Sequence, residues 1–361
     1  MYINKLTLRN FRNYDSQSVK FINGLNVVVG KNASGKTNML ESIYCCAIGK
    51  SPRTTRFKDL VEWEKNYAYI KIELIKKYRS HTIELSIDSQ DKKRVLLDGV
   101  PLTKISDLLG MLNVVYFSPD ELKLIKESPQ ERRRFMDISL SQQSKTYMDC
   151  LSKYNNLIAR RNKLLKEKHS FDALKEMLYV WDIQIAKYGS YIIKKRYEFV
   201  QSLDSFAKNI HSTITDNKEN LSLEYESKLK EDSQALMQKD FLTKLQDSIT
   251  KDINLQYTSV GAHRDDISIA VNNIDVRKFG SQGQQRTSAL SLKLAEIDHF
   301  KCEVGETPIL LLDDVLSELD EGRRQKLMEL STGLQTLITC TDFDMKVAHN
   351  TIEICSGKVK E

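Results

Sequence analysis

Proline is nearly missing from the middle of this chain. Of five prolines, Pro52, Pro101, Pro119 and Pro129 lie early and Pro308 late, so residues 130–307 carry none. Nothing in that stretch therefore breaks a helix in the way proline does. No run of eighteen apolar residues occurs, which excludes an apolar membrane-crossing helix. The start, Met1 to Lys5, alternates like a strand and is not a signal peptide. The six cysteines show no C-x-x-C spacing, and Cys45, Cys46 and Cys340 sit in apolar surroundings, as reduced buried thiols do. The expected compartment is the cytoplasm, with no membrane partner. Zinc-ligand spacing, a homeodomain pattern and an RNP motif are all absent, so no base-reading module is expected. The formal charge of +6 is compatible with a nucleic-acid partner without requiring one.

Two motifs near opposite ends of the 361 residues carry nucleotide chemistry. Residues 30–37 read G-K-N-A-S-G-K-T and fit G-x-x-x-x-G-K-[ST], a loop whose backbone amides cradle phosphates. The apolar run Leu25–Val29 precedes it as a strand, and Asn38–Ile43 follows as a helix. Gly30 and Gly35 let the backbone wrap the oxygens, with Lys31, Asn32, Ala33 and Ser34 completing the cradle. Lys36 is expected at the β/γ-phosphates and Thr37 on magnesium. Residues 308–314 read P-I-L-L-L-D-D, a buried strand that ends in two carboxylates. Asp313 is the expected magnesium ligand, through water, and Asp314 the base or water-positioning group. Lys36, Asp313 and Asp314 are thus the catalytic candidates, with ATP and Mg2+ as cofactors. Between the two motifs stands S-Q-G-Q-Q at 281–285. The Ser281 hydroxyl and the amides of Gln282, Gly283 and Gln284 can bind an anion at a helix start, although alone they also read as a plain cap.

The rest of the chain falls into two textures. Residues 1–129 and 255–361 read as a mixed α/β nucleotide core, with a small antiparallel meander over about 68–102 marked by the turn signal Asp98-Gly99. Residues 130–254 read as a helical arm. Two segments there carry 3.5-residue periodicity, Tyr147 to Leu165 and Leu174 to Phe206, and the polar run Lys166–Asp172 separates them. An antiparallel helical hairpin with arms of roughly 35–50 Å is the simplest geometry. An ordinary helical bundle is the alternative. Arg161, Lys195 and Ser202 interrupt the seams. Leu221, Leu223 and Tyr225 alternate as a strand, and residues 231–253 read as a further helix.

Several stretches together resemble the RecF family. They are Leu8–Tyr14, the loop at 30–37, Phe117–Glu121, Arg132–Asp137, Gly261–Asp266, Ser281–Arg286 and Leu311–Asp320, in the family's order and over essentially the whole chain. Ala262 departs from the proline usual in that family. Asp314 stands where transporter ATPases carry glutamate, and the stretch Cys340-Thr341-Asp342 lacks their switch histidine. The resemblance implies an ABC-type P-loop ATPase head, α/β in class, with an inserted short-armed helical hairpin, a relative of SMC ATPases. It implies an ATP-dependent homodimer in which Ser281 of one subunit meets the ATP held by Lys36 of the other. It implies weak DNA-stimulated ATP hydrolysis that drives dimer dissociation. Double-stranded DNA and single-strand/double-strand junctions at gaps are the implied substrates, RecO and RecR the partners, and RecA loading the outcome. Arg53 falls where SMC relatives place an arginine near the phosphates, with Arg56 as a near alternative.

The basic clusters Arg132–Arg134, Arg160-Arg161, Lys163, Lys166, Lys168 and Lys194–Arg196 are candidates for DNA-backbone contact. His263 and Arg264-Asp265-Asp266 either approach the nucleotide or fix the junction of arm and core. The alternative function is an SMC-like or other ABC-type ATPase with a structural DNA-clamping role. A transporter subunit would need a glutamate base and a switch histidine. A full SMC protein would need far longer arms.

Overall fold

The computed structural model describes residues 1–167, 170–230, 233–345 and 347–360, so Lys168 lies outside the described residues. The chain divides into two compact units, one of Met1–Leu122, Thr213–Asn217 and Ala289–Glu361, the other of Lys123–Ser212 and Lys218–Ser288. Among the described residues no helix is long and apolar enough to cross a membrane.

The first unit holds strands β1 (Tyr2–Phe11), β2 (Tyr14–Lys20), β3 (Leu25–Val29), β4 (Tyr67–Ile75), β5 (Ser80–Asp88), β6 (Lys93–Leu97), β7 (Val100–Pro101) and β8 (Val114–Phe117). Helix α1 (Lys36–Ile48) follows β3. The second unit holds β9 (Leu221–Glu226), β10 (Asp266–Val271) and β11 (Ile274–Asp275). The chain then adds β12 (Ile309–Asp313), β13 (Thr336–Cys340), β14 (Asn350–Cys355) and β15 (Lys358–Val359) to the first unit.

One sheet of that unit has the order β15-β14-β3-β13-β12-β8. Its strands β14, β3, β13, β12 and β8 run parallel. Parallel strands are covered on both faces and read as continuous apolar runs. Accordingly Val27, Val28, Leu310, Leu311, Leu312, Leu337 and Ile338 are wholly buried. In such a sheet the functional crevice lies beyond the carboxyl ends of the strands. Those ends deliver Gly30, Asp313 and Thr341 to one edge.

The other sheet, β2-β1-β4-β5-β6-β7, is antiparallel. The meander expected at 68–102 is not a separate appendage. The ten-residue β1 has two edges, pairs β2 on one and β4 on the other, and so fuses the meander to the N-terminal hairpin. Asp98 and Gly99 both take positive φ, 52° and 79°, as a two-residue hairpin turn requires.

In the second unit, helices α2 (Lys123–Lys126), α3 (Pro129–Gln143), α4 (Lys145–Leu164), α5 (Phe171–Ile214), α6 (Gln234–Asp247) and α7 (Ile249–Leu255) surround the β9–β11 sheet residues. Residues 255–288, placed by their sequence with the nucleotide core, belong here because β10 pairs along its length with β9. Helices α4 and α5 run antiparallel in a heptad ladder. Arg161 bonds Asp182, Tyr154 abuts Gly189 and Tyr147 bonds Arg196, each step seven residues back on α4 and seven forward on α5. The arms are unequal, not the 35–50 Å pair expected. The 20 residues of α4 span about 30 Å and the 44 of α5 about 66 Å. The first is short because Ser144 starts it afresh as an N-cap to the Tyr147 amide.

Arg161, a candidate for DNA contact, is a core residue. It is fully buried, with Nε donating to Asp182 and Nη1 to Asp252, both at 2.7 Å, and to Thr258 at 3.0 Å. Arg132 grips Asp266 with two bonds and Arg196 grips Asp137, and both arginines are buried too. Three of the candidate phosphate contacts therefore hold the helical unit together. A guanidinium's planar fork suits such pairing better than an ammonium. Removing it strands two buried carboxylates, so Arg161→Ala is expected to cost about 3–5 kcal/mol in a denaturant titration. Arg160→Ala, on the exposed face one residue earlier, is expected to cost under ~1 kcal/mol.

Candidate active site

The loop at 30–37 leaves β3 and opens α1, the arrangement that presents backbone amides to an anion. Gly35 caps α1 with φ 119° and Ala33 takes φ 62°, so the backbone curls back upon itself. The Lys36 ammonium lies over this curl and donates to Gly30 O at 2.6 Å and Lys31 O at 3.0 Å. The Ser34 hydroxyl is buried and has no hydrogen-bond partner among the described residues. A phosphate in the curl supplies what both groups lack: an anion for Lys36 and an acceptor for Ser34.

Asp313 stands beside the loop. Its Oδ1 accepts from Thr37 Oγ1 at 2.9 Å and Thr339 Oγ1 at 2.7 Å, and its Oδ2 from the Tyr116 hydroxyl at 3.0 Å. The Tyr116 phenol is pushed well up by burial and then by the Asp313 charge, so it stays protonated and donates. Thr37 and Asp313 thus place two oxygens side by side, the donor set that magnesium takes when phosphates fill its other positions. Asp314 is half-buried and held in the left-handed region at φ 52°. Its amide donates to Thr339 Oγ1 at 2.9 Å, while its carboxylate makes no hydrogen bond among the described residues. A non-glycine residue at positive φ marks a functional constraint.

Tyr116 and Thr339 escaped sequence reasoning. The signal was present in register: Tyr116 pairs Leu311, two residues before Asp313, and Thr339 pairs Asp313 itself. A cavity of ≈ 920 Å³ runs from Gly30–Ser34 to Asp342, Phe343, His349 and Glu353. Phe343 and His349 meet edge to face there, 4.8 Å apart. Neither was singled out in the sequence.

Arg53 and Arg56 are both exposed. Arg53 Nη1 donates to Asn38 Oδ1 at 2.9 Å, next to the start of α1, and approaches the buried Glu41 at 3.4 Å. Arg12 holds Glu41 with two bonds of 2.9 and 3.0 Å. Among the described residues Arg56 has only its backbone engaged. Of the two, Arg53 is the one tied to the loop's helix.

Ser281 belongs to the second unit. There it forms a reciprocal capping box, its Oγ accepting from the Gln284 amide at 3.2 Å while Gln284 Oε1 accepts from the Ser281 amide at 3.0 Å. Helix α8 (Val276–Phe279) lies just upstream of it and α9 (Gln282–Val304) just downstream. Ser281 and Gln282 are exposed, Gly283 and Gln284 partly so. The cap uses only the hydroxyl's lone pair. Its proton remains available to an acceptor.

His263 packs within the second unit. Its Nε2 donates to Thr258 O at 3.0 Å, which leaves Nδ1 to accept from the Tyr154 hydroxyl at 2.8 Å. Arg264 also donates to Thr258 O and stacks on Tyr257 at 4.4 Å. Asp265 accepts from the Tyr225 hydroxyl at 2.6 Å, and Ala262 O accepts from Arg196 at 2.6 Å. A carbonyl serves equally from alanine or proline.

Comparison with known proteins places these features in a wider set. The family model for the RecF/RecN/SMC N-terminal domain matches residues 2–359. The DNA replication and repair protein RecF of Clostridium novyi is 46% identical over 341 residues, covering 94% of this chain and 93% of its own. That of Clostridium acetobutylicum is 42% identical over the whole of both chains. A solved structure described as the recombination mediator protein RecF with ATP, in the RecFOR pathway, superposes with a TM-score of 0.91 at 33% identity, covering 99% and 97%. An SMC head bound to a ScpA winged-helix domain shares the fold, with a TM-score of 0.59 at 17% identity.

Burial, then the nearby Arg264, Arg133 and Arg161 charges, lower the His263 pKa to about 4, against a partial rise from its Thr258 bond. Below an unfolded value near 6.5 the unfolded chain takes up a proton that the folded chain refuses until about 4. Stability is therefore whole above that window and falls as pH drops through it, by up to ~3 kcal/mol from this group. The expected result is an imidazole resonance still neutral at pH 5. Denaturation curves of His263→Gln should lose that part of the pH dependence.

Proposed function

The chain belongs to the RecF family, and from that premise we propose that it is an ATP-hydrolysing, DNA-binding recombination mediator that dimerises on ATP. It acts at duplex DNA and at single-strand/double-strand junctions of gaps, with RecO and RecR, to promote RecA loading. The observation that carries the ATPase reading is the meeting of Thr37, Tyr116 and Thr339 on the one carboxylate of Asp313, beside a loop whose lysine has only carbonyls to hold.

The residues divide the work as follows. Loop amides and Lys36 bind and orient the phosphates, with Lys36 exchanging two carbonyls for phosphate oxygens. Thr37 and Asp313 would hold magnesium, which would neutralise charge on the phosphate oxygens. Asp314 orients the attacking water or accepts its proton, its carboxylate having no competing bond among the described residues. Thr339 serves both acids at once, Asp313 through its hydroxyl proton and the Asp314 amide through its lone pair. Water exclusion calls for a cover, and the second copy of the chain supplies it with Ser281. This reading is supported by an exposed serine hydroxyl with a spare proton and by the ATP named with the related solved structure.

Of the basic clusters singled out in the sequence, the cations that are exposed among the described residues are Arg134, Arg160, Lys163 and Lys166. They are suited to backbone phosphates, whose recognition is independent of base sequence.

Lys36→Ala is expected to abolish nucleotide binding in calorimetry. Asp314→Asn should keep binding and lose ~10²–10⁴-fold in turnover. Ser281→Arg should bind ATP as a monomer yet fail to dimerise with a non-hydrolysable analogue in light scattering. Mixing it with Lys36→Ala should restore one composite site and some activity. Dimerisation of Ser281→Arg at wild-type analogue concentration would leave residues 281–285 as a helix cap only. Replacing Arg160, Lys163 and Lys166 by glutamate should weaken DNA binding equally across base sequences and flatten its salt dependence.

A further inference from the structure

Lys36 takes the Gly30 and Lys31 carbonyls of the phosphate loop, and further carbonyls of the loop find donors outside it. Two of them are taken by the tips of two hairpins. Ser34 O accepts from Asn13 Nδ2 at 2.9 Å and from the Gly357 amide at 2.8 Å. Gly35 O accepts from the Tyr14 hydroxyl at 2.9 Å, in addition to the helical bond from the Met39 amide at 3.1 Å. Asn13 and Tyr14 close the β1–β2 hairpin, in which Phe11 pairs Tyr14. The Asn13 side chain is itself oriented, its Oδ1 accepting from Asn38 Nδ2 at 2.9 Å, which leaves Nδ2 to face the loop.

Gly357 sits at the tip of the β14–β15 hairpin. Cys355 pairs Lys358 there, and the two residues between, Ser356 and Gly357, take φ of 48° and 74°. That is a two-residue turn of the primed type. Its ladder engages the flanking pair and leaves the Gly357 amide free to reach Ser34. Glycine is required on a second ground, since a Cβ would stand 1.9 Å from Asn13 O. The two tips therefore touch each other as well as the loop.

A trans peptide unit holds its C=O and N–H in one plane, pointing in opposite directions. Ser34 O shares its plane with the Gly35 amide, and Gly35 O with the Lys36 amide. Anchoring both oxygens on the hairpins turns both N–H groups away from them, into the curl of the loop. Hydrogen bonds to the carbonyls also polarise those amides and strengthen them as donors.

We propose that Asn13, Tyr14 and Gly357 are positioning residues that aim the Gly35 and Lys36 amides at the phosphates of the bound nucleotide. The proposal rests on the nucleotide reading of the loop given above. It makes the β14–β15 hairpin, more than three hundred residues downstream, a working part of the site.

The test is calorimetric titration of the full chain with magnesium and a non-hydrolysable ATP analogue, beside thermal melts of the nucleotide-free protein. Tyr14→Phe and Asn13→Ala are each expected to weaken binding about five- to tenfold, the reach of one net hydrogen bond. Asn13→Asp should weaken it further, because a carboxylate then faces the Ser34 carbonyl while the Asn38 bond survives. Gly357→Ala should do most, since its Cβ meets backbone. Melting temperatures of Tyr14→Phe and Asn13→Ala should stay within about 2 °C of the wild type, the shift that ~1 kcal/mol brings in a chain of this size. Lys36→Ala is the control for the nucleotide reading itself. If that control loses the analogue while Tyr14→Phe, Asn13→Ala and Asn13→Asp bind within twofold of wild type, positioning is wrong and the nucleotide reading stands. Affinity losses that only follow the order of falling melting temperatures would reduce the three residues to structural supports and overturn the proposal. Unchanged binding by Lys36→Ala would overturn both readings.

Discussion

A single buried carboxylate ties the first unit's site together. Asp313 ends strand β12, which lies between β13 and the edge strand β8, and collects hydroxyl donors from α1, β8 and β13. An unpaired charge in that position would be costly. Three short donors make it tolerable, and in doing so they fix the separation of the loop from the strand ends. The register of β12 against β8 and β13 follows from the same demand. A one-residue slip would send Asp313 to the other face of the sheet and leave three hydroxyls without their acceptor.

The second unit rests on an analogous device used three times. Arg161, Arg132 and Arg196 each neutralise carboxylates inside the helical packing, and the heptad ladder of α4 and α5 runs through two of them. Among the described residues the Arg161 Nη2 and Asp182 Oδ2 atoms find no hydrogen-bond partner. Buried ion pairs of this kind specify which surfaces meet more than they stabilise, since apolar replacements of similar size are often as stable. Fixing how α4, α5 and α7 pack is the role such a network suits here.

What could be read from residue order was local. The strand before Gly30, the helix after Thr37, the apolar strand before Asp313 and the break between α4 and α5 all follow from periodicity and spacing, and the structure places them there. What escaped was partnership across the sheet. Tyr116 and Thr339 are ordinary strand residues until β8 and β13 are known to flank β12. Arginine misled for a related reason. Its charge favours a surface reading, while its long planar fork makes it a frequent ion-pairing residue in interiors, and Arg160 and Arg161 differ only in which side of α4 they occupy. The arm lengths were blurred because the apolar period continues past Phe206 to Ile214, while a capping serine at 144 ends one helix and begins another without changing it.

The placement of β3 bears on how the protein is made. It is the first strand of the parallel sheet to leave the ribosome, yet it lies between β13 and β14, which are the last long strands to do so. Through most of synthesis its Val27 and Val28 have no neighbours on either edge, an exposed apolar strand of the kind that invites wrong pairing. Contacts between such distant segments also form slowly. The phosphate loop hangs from the end of that strand. It can take its final shape only once β13 and β14 have emerged, so nucleotide capture and completion of the sheet become one event, and a nascent chain stalled short of it is an inert one.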